Sequence, residues 1–249
     1  MRIDILTLFP EMCERVIEES ILGQARNKGY IDIRCHNIRD YAYDKHRRVD
    51  DYPYGGGQGM LLKAEPIARC FDAICAQSGR RPIFIYTSPC GEVFNQKMAC
   101  TLSQSNGFCI LCGHYEGVDQ RLIDEYIDYQ ISIGDFVLTG GELPALTITD
   151  AVARLLPGVL SERVSFEDES HYSGLLEYPQ YTRPPVWRDI PVPQVLTSGH
   201  QKNIETWKRQ RALDNTLAKR PDMIEKAQLT GEDMKYLASV KATKPDSDK

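Results

Sequence analysis

The sequence contains no run of 18 or more apolar residues, and this absence argues against a membrane-spanning helix. Its first residues, MRIDILTLFPEMCERV, include acidic side chains and no apolar core that ends at a small-residue cleavage site. Such a start is not typical of a signal peptide. We therefore expect a cytoplasmic protein that makes no contact with a membrane.

Two common nucleotide-binding motifs are also missing. Neither the pattern G-x-G-x-x-G nor the pattern G-x-x-x-x-G-K-[ST] occurs in the chain, which argues against ordinary dinucleotide-binding and P-loop sites. An excess of positive charge is absent as well, because 35 Asp and Glu outnumber 30 Lys and Arg and leave a net charge of -5. The total charge therefore gives no indication of a nucleic-acid partner.

The distribution of charge is more informative than its sum. Between His200 and Arg220, six basic residues stand against two acidic residues. Between Gly113 and Glu142, seven acidic residues stand against one basic residue. A basic segment is suited to contact phosphates and an acidic one to hold a cationic ligand, so these two functions are expected in different parts of the chain.

The eight cysteines do not indicate a disulfide framework, because no export signal accompanies them. Reduced thiols are the expected state. Cys109 and Cys112, with His114 nearby, resemble half of a zinc site, but both lie in an apolar run that is typical of a buried strand. Residues three apart in a strand point to opposite faces, so we expect no metal site here.

Apolar residues make up 42% of the 249 residues, which is enough for a hydrophobic core. Strand-like and helix-like periodicities alternate up to about residue 160. This alternation predicts an α/β domain with a mainly parallel sheet covered on both faces. The predicted strands are 2–9, 30–35, 82–87, 107–112 and 129–133, and the predicted helical segments are 10–25, 64–76, 95–102 and 143–156.

The composition changes after Leu160. Residues 161–174 are polar and acidic, and the prolines of 178–185 and 191–193 exclude regular helix there. Helical spacing of apolar residues returns after residue 200. We expect an α/β domain over 1–160, a flexible linker over 161–175 and a small helical domain over 176–249.

Glycine-bearing segments follow several predicted strands. Segments 86–89, 111–119 and 132–142 are strand-end loops, and ligands of open α/β sheets lie at such carboxyl ends. The glycines of 132–142 and of 54–60, which reads YGGGQGM, permit close approach of the backbone to a ligand. Flexible turns without a ligand are the alternative interpretation of both segments.

Six segments together carry a resemblance to a known family. In chain order they read YGGGQGM, SPCGEVFNQ, CGHYEGVDQR, SIGDFVLTGGELPA, RLLPGVL and GLLEYPQYTRP. In this order and near these spacings they resemble the bacterial tRNA (guanine-37-N1)-methyltransferase family, and the similarity runs from Leu8 to the basic segment after His200. Each segment alone is weak evidence, but six in order argue strongly against a chance match.

The resemblance implies a SPOUT-type α/β domain whose strand-end loops form a deep trefoil knot. It also implies a homodimer with an active site shared between the subunits, S-adenosyl-L-methionine as methyl donor, and Mg²⁺ for turnover. The residues that would bind the cofactor are Tyr86, Thr87, Ser88, Pro89, Gly113, Tyr115, Glu116, Ile133, Gly134, Asp135, Phe136, Val137, Leu138, Gly140, Gly141 and Pro144.

The resemblance further implies how guanine 37 of tRNA would be methylated at N1. Arg154 matches the arginine that stabilises charge on O6, and a linker carboxylate would be the general base. An alignment without a gap places that base at Glu169, and a shift of one residue places it at Asp168. The residues that would bind the tRNA are Arg183, Lys202, Lys208, Arg209 and Arg211.

Two alternatives remain open at this point. A SPOUT-type methyltransferase for another RNA nucleoside would keep the cofactor loops but would not need the linker carboxylate. A non-catalytic RNA-binding protein would retain the knot without activity. Arg154 and the glycines at 113, 134, 140 and 141 argue against an inactive site.

Overall fold

The computed structural model describes residues 1–160 and 169–243, with side chains described up to residue 240. The chain divides into two compact units, Met1–Glu162 and Arg163–Lys249. Within the described ranges, no helix is both long enough and apolar enough to cross a membrane.

The first unit is built on a five-stranded sheet in the order β2-β1-β6-β5-β7, and all four pairings are parallel. The strands are β1 (Arg2–Thr7), β2 (Asp32–Asn37), β5 (Ile83–Val93), β6 (Gly107–Cys112) and β7 (Tyr129–Ser132). A separate antiparallel pair consists of β3 (Asp50–Asp51) and β4 (Leu61–Leu62). The parallel sheet confirms the predicted α/β class, whereas the knot stays a prediction.

Helices cover both faces of this sheet. On one face lie α1 (Pro10–Ile17), α2 (Ser20–Asn27), α4 (Gln96–Ser103) and α6 (Glu142–Ala153). On the other lie α3 (Ala64–Ser78), α5 (Gln120–Tyr126) and a 3-10 turn (Ile38–Tyr41). Alternate strand residues divide between the two cores, so Ile5 and Ile110 face one core while Leu6 and Leu111 face the other.

The helical segment predicted over residues 10–25 is two helices rather than one. The first ends at Ile17 and the second begins at Ser20, which has a φ of 53°. Gly23 lies so close to the end of α1 that a Cβ there would come within 2.5 Å of the carbonyl carbon of Glu18. The break therefore depends on the close contact of the two helices.

The second unit is mainly helical. Its helices are α7 (Gln194–Thr197), α8 (Gln201–Lys219), α9 (Pro221–Ile224) and α10 (Gly231–Thr243), and a hairpin joins β8 (Val186–Trp187) to β9 (Ile190–Pro191). Leu175, Leu213 and Leu237 form its buried core. Residues 169–175, which the sequence assigns to the linker, belong to this unit, since Leu175 is 2% exposed.

Candidate active site

A cleft of about 320 Å³ opens at the carboxyl ends of β6 and β7, beside the middle of β5. Its walls come from three segments, 86–90, 113–117 and 131–144. Fourteen of the sixteen residues that the sequence predicts as cofactor-binding line this cleft, and the two that do not are Gly134 and Asp135. The three predicted strand-end loops therefore converge on one cavity.

Gly134 is separated from the cleft by Phe136. The amide of Phe136 donates to the carbonyl oxygen of Gly134 at 2.9 Å, and a Cβ on Gly134 would lie 2.6 Å from the Phe136 ring. Gly134 also has a φ of +146°, which glycine adopts readily. Gly134 thus forms a tight turn that brings Phe136 to the cleft. Asp135 lies in the same turn and is exposed.

Thr87, Gly113 and Gly141 hold the three segments together. The amide of Gly141 donates to the carbonyl oxygen of Gly113 at 2.8 Å. The Thr87 hydroxyl is buried and donates to the carbonyl oxygen of Leu111 at 3.1 Å. A Cβ on Gly141 would lie 2.5 Å from the Gly113 nitrogen, so no larger residue fits without displacement of the backbone.

The segment 86–89 is part of a longer strand than the sequence predicts. Thr87 pairs with Ile131 of β7, and Glu92 pairs with the same residue, so the residues between them bulge out of the ladder. Pro89 has no amide hydrogen for the ladder and lies in this bulge. The bulge turns segment 88–90 toward the cleft although β5 continues to Val93.

Tyr86 forms a buried wall of the cleft. Burial raises the pKa of its phenol above the ordinary value. A Cβ on Gly113 would come within 2.9 Å of the Tyr86 ring, so the absence of a side chain at Gly113 leaves room for that ring. Tyr86 is therefore a neutral, fixed surface beside the backbone at Gly113.

One acidic residue lines this site, and a second is buried at the start of α6. Glu142, the first residue of α6, is 3% exposed and accepts a hydrogen bond from the Thr7 hydroxyl at 2.7 Å. Glu116 lines the cleft and is exposed. The site is thus suited to a ligand with positive charge.

His114 also lines the cleft, although it is not among the residues predicted to bind the cofactor. Its ring lies 5.2 Å from the ring of Phe9 and 4.8 Å from that of Tyr115. Its buried Nδ1 has no hydrogen-bond partner among the described residues. Its position inside the motif CGHYEG is the sequence feature from which His114 could have been predicted as a cleft residue.

Arg154 lies at the other end of α6 from the cleft. It caps the carboxyl end of that helix, and its amide donates to the carbonyl oxygen of Asp150 at 3.1 Å. Gly141 caps the opposite end, so about 20 Å of helix axis separate the two residues. This distance exceeds the length of an arginine side chain. The structure therefore does not bring Arg154 to the cleft of its own chain.

Of the two candidate bases, only Glu169 lies within the described residues. Asp168 lies outside the described residues. Glu169 is half-buried in the second unit, and its carbonyl oxygen accepts hydrogen bonds from the amide and the hydroxyl of Ser173, both at 3.3 Å. Ser173 thereby fixes the backbone direction at Glu169.

Two of the predicted RNA-binding residues are engaged within the second unit. Arg209 donates two hydrogen bonds to the buried carboxylate of Asp233, at 2.8 and 3.1 Å. Arg211 forms an ion pair with Asp214 at 3.0 Å and also donates to the hydroxyl of Tyr236. Such pairs stabilise the unit and leave less of each guanidinium for phosphates.

The other three predicted RNA-binding residues differ in exposure. Lys202 and Arg183 are exposed, whereas Lys208 is half-buried with its ammonium 4.9 Å from the centre of the Tyr178 ring. Lys202 and Arg183 are therefore the members of the predicted set that are most accessible to a phosphate.

No group of three or more histidine, cysteine or acidic side chains suited to a metal ion occurs in residues 1–160 and 169–240. Cys109 and Cys112 belong to the cores on opposite faces of the sheet, which confirms the predicted orientation of this pair. All eight cysteines are free thiols.

Comparison with known proteins gives full-length relatives. A sequence profile described as tRNA (Guanine-1)-methyltransferase TrmD matches residues 1–226.

Three similar proteins are each named tRNA (guanine-N(1)-)-methyltransferase. That of Ruminiclostridium cellulolyticum is 53% identical over 226 residues, covering 91% of this chain and 97% of the relative. That of Alkaliphilus oremlandii is 51% identical over 249 residues, covering 98% and 100%. That of Clostridium perfringens strain SM101 is 50% identical over 239 residues, covering 96% and 100%.

Proposed function

Because this chain belongs to the tRNA (guanine-1)-methyltransferase family and is an enzyme of that activity, we propose that it methylates N1 of guanosine 37, beside the anticodon. S-adenosyl-L-methionine is the proposed methyl donor. The observation that carries the proposal is the cleft in which the backbone at Gly113 and Gly141 meets the bulge of β5.

The residues of the cleft fit this cofactor. A Cβ on Gly140 would lie 2.5 Å from the Glu142 carboxylate, and one on Gly141 would displace backbone, so these positions offer a cradle of bare backbone. Apolar side chains of Ile133 and Leu138 line the same cleft and suit an adenine ring. The carboxylate of Glu116 suits the sulfonium or ammonium charge of the cofactor.

The chemistry requires two further groups. When bound, the cofactor supplies an electrophilic methyl group. Guanine N1 carries a proton, so a carboxylate has to accept that proton while the N1–methyl bond forms and the sulfur–methyl bond breaks. Glu169, or Asp168, is the proposed base. Negative charge then develops on O6, and the guanidinium of Arg154 is the proposed stabiliser because it donates two parallel hydrogen bonds.

A homodimer with a shared active site accounts for the position of Arg154. Since its own helix places it about 20 Å from Gly141, a second copy of the chain has to bring an arginine to the cleft. The first unit also exposes an apolar patch on the adjacent helices α1 and α6, formed by Phe9, Met12, Val16 and Leu143. A contiguous patch of this kind indicates a protein interface. We assign it to the second copy.

The remaining parts of the proposal concern the second unit and the metal requirement. Its basic residues would contact the phosphates of the anticodon stem, which positions the RNA without reading its sequence. The family resemblance supports a need for Mg²⁺ in turnover. We assign no residue to that ion, which commonly binds proteins through one or two carboxylates and substrate phosphates.

A methyl-transfer assay tests the proposed function. Purified protein, cofactor with a labelled methyl group and unmodified tRNA with guanosine at positions 36 and 37 should give one labelled nucleoside, 1-methylguanosine at position 37. The matched tRNA with adenosine at position 37 should remain unlabelled. Labelled product at another position or another nucleoside would support a different RNA methyltransferase, and absence of product would contradict the proposal.

A further inference from the structure

No residue of the YGGGQGM segment (54–60) lines the cofactor cleft described above. Its first five residues belong to segment 43–58, which includes the short strand β3 and which we call the tyrosine loop. We propose that the tyrosine loop is a contact surface for the single-stranded part of the RNA substrate, with Tyr52 and Tyr54 as stacking platforms for bases. This inference rests on the proposed function and adds an RNA-binding surface in the first unit.

Hydrogen bonds hold the carboxyl end of the loop against the cleft. The amide of Glu116 donates to the carbonyl oxygen of Met60 at 3.0 Å, and the amide of Leu62 donates to the carbonyl oxygen of Gly117 at 2.9 Å. Glu116 and Gly117 both line the cleft. The residues that directly follow the tyrosine loop are therefore bonded to two residues that line the cleft.

Three tyrosines of this loop are exposed to an unusual degree. The exposed fractions are 75% for Tyr43, 78% for Tyr52 and 100% for Tyr54. Single exposed apolar side chains are common, but three aromatic rings within 12 residues form a group in the sequence. The guanidinium of Arg69 lies 4.5 Å from the centre of the Tyr43 ring, so Tyr52 and Tyr54 are the more accessible members of this group. Unpaired bases stack on such rings irrespective of base identity. An aromatic group beside the cleft is thus suited to nucleotides that flank the target guanine.

Four basic residues lie between Tyr43 and Tyr52 in the sequence. Residues 45–48 read Lys-His-Arg-Arg, and all four are exposed. Two of the three acids of the loop have partners: Asp44 accepts hydrogen bonds from the amides of His46 and Arg48, and Asp51 forms an ion pair with Lys63 at 3.5 Å. Arg47 pairs with Asp40 at 3.3 Å. Among the described residues, no acid pairs with Lys45 or Arg48, which leaves two cations for phosphates.

The backbone around Tyr54 can adapt to a ligand. Gly55 and Gly56 both have positive φ, and a Cβ at either position would meet nothing within 4 Å. The loop tip is therefore not held by packing. Exposed aromatic rings next to a run of basic side chains on an adaptable loop favour single-stranded RNA, because bases stack on the rings while the cations contact the phosphates.

Replacement of the tyrosines tests the stacking role. The double variant Tyr52→Ala/Tyr54→Ala should bind tRNA about tenfold more weakly, as expected for loss of base stacking. The affinity for S-adenosyl-L-methionine, measured by calorimetry, should equal that of the wild type. The matched control Tyr52→Phe/Tyr54→Phe keeps both rings and should keep the tRNA affinity. Thermal unfolding of each variant shows whether the fold is intact.

Charge replacement provides an independent measurement. Lys45→Ala/Arg48→Ala should reduce the slope of log affinity against log salt by about 2, whereas Arg47→Ala, which removes a paired cation, should change it less. If wild-type protein methylates tRNA but both double-alanine variants bind tRNA like the wild type, the tyrosine loop is not an RNA contact, and its exposed rings then belong to a protein interface. If the wild type methylates no tRNA, the proposed function itself has failed.

Discussion

The backbone amide of Gly141 lies 2.8 Å from the carbonyl oxygen of Gly113, and this hydrogen bond joins the start of α6 to the end of β6. A Cβ on Gly141 would meet the backbone of Gly113, whereas a Cβ on Gly113 would meet the ring of Tyr86, so neither position has room for a side chain. One contact thereby fixes two walls of the cleft. The proposed cofactor site and the direction of α6 therefore share the same few atoms.

Replacement of Gly141 by alanine should abolish cofactor binding. The added Cβ would lie 2.5 Å from the Gly113 nitrogen and 2.7 Å from the Cys112 Cα, so the backbone of the cleft has to shift. Calorimetry with S-adenosyl-L-methionine measures the loss. Gly231→Ala is the matched control, because a Cβ there meets nothing within 4 Å. Wild-type affinity in a folded Gly141→Ala protein would contradict the assigned cofactor site.

A negative charge in the apolar patch should dissociate the homodimer. Val16 on α1 is 45% exposed, and Val16→Glu would place a carboxylate in a desolvated interface. Sedimentation should show a monomer, and methyl transfer should be lost with the shared site. Thr101→Glu adds the same charge at an exposed position of α4 and should leave a dimer. A Val16→Glu protein that remains dimeric would place the interface elsewhere.

The bounds of a strand could be predicted from the sequence where neighbouring residues alone determine them. Strand β6 has the predicted bounds, because six consecutive buried residues lie directly before Gly113. The length of β5 could not be predicted, because Pro89 indicates a stop and the strand continues only through pairing of Glu92 and Val93 with Ile131 and Ser132 of β7. The division between α1 and α2 has no glycine or proline at residues 18 and 19 to signal it.

In the candidate site, too, features set by short motifs could be predicted, whereas features set by contacts between distant residues could not. The cleft residues lie in short motifs whose spacing is visible in the sequence. The partner of Arg209, by contrast, is Asp233, which lies 24 residues away and beyond the basic segment. A count of charges along the chain does not distinguish a paired guanidinium from one that is available to phosphate. Tertiary packing determines that difference.

The exposed and the paired cations of the second unit should behave differently toward tRNA. Lys202→Ala and Arg183→Ala should each reduce the slope of log affinity against log salt by about 1, as expected for one lost phosphate contact. Arg209→Ala should instead lower the free energy of unfolding, because it leaves the Asp233 carboxylate buried without its partner. Binding titrations at several salt concentrations, with urea unfolding in parallel, separate these effects. A reduced slope without loss of stability in Arg209→Ala would show that Arg209 contacts RNA.

The Arg209–Asp233 pair should make the second unit sensitive to acid. Hydrogen bonds from Arg209 lower the pKa of Asp233 from 3.8 to about 2. A depressed pKa stabilises the folded state above pH 3.8, and this contribution is lost as the pH falls through about 2. Because Arg209 is 40% exposed and therefore screened, Asp233→Asn should cost about 1–2 kcal/mol at pH 7 and nothing near pH 2.

Urea unfolding as a function of pH measures this difference. The control is Asp222→Asn, which removes an ion pair with Arg220 in which both side chains are about half exposed. It should change the free energy of unfolding very little at either pH. An Asp233→Asn protein with unchanged stability at pH 7 would show that the pair contributes nothing to the fold.

The catalytic groups should be separable from the binding groups and should come from different copies of the chain. Glu169→Gln, or Asp168→Asn, should lower the single-turnover rate of methyl transfer about a hundredfold with tRNA and cofactor affinities intact, as expected for loss of a general base. Arg154→Lys should also lower the rate, because an ammonium cannot donate two parallel hydrogen bonds to O6.

Mixed dimers test the sharing directly. One copy carries Gly141→Ala, which removes its cleft, and the other carries the inactivating carboxylate variant. If the base acts on the cleft of the partner copy, one intact site forms and about half of the wild-type rate per dimer returns, although each parent homodimer is inactive. If the base acts within its own chain, the mixed dimer stays inactive. Wild-type rates in Glu169→Gln, Asp168→Asn and the double variant would exclude both carboxylates, and proton removal would then fall to another group or to water.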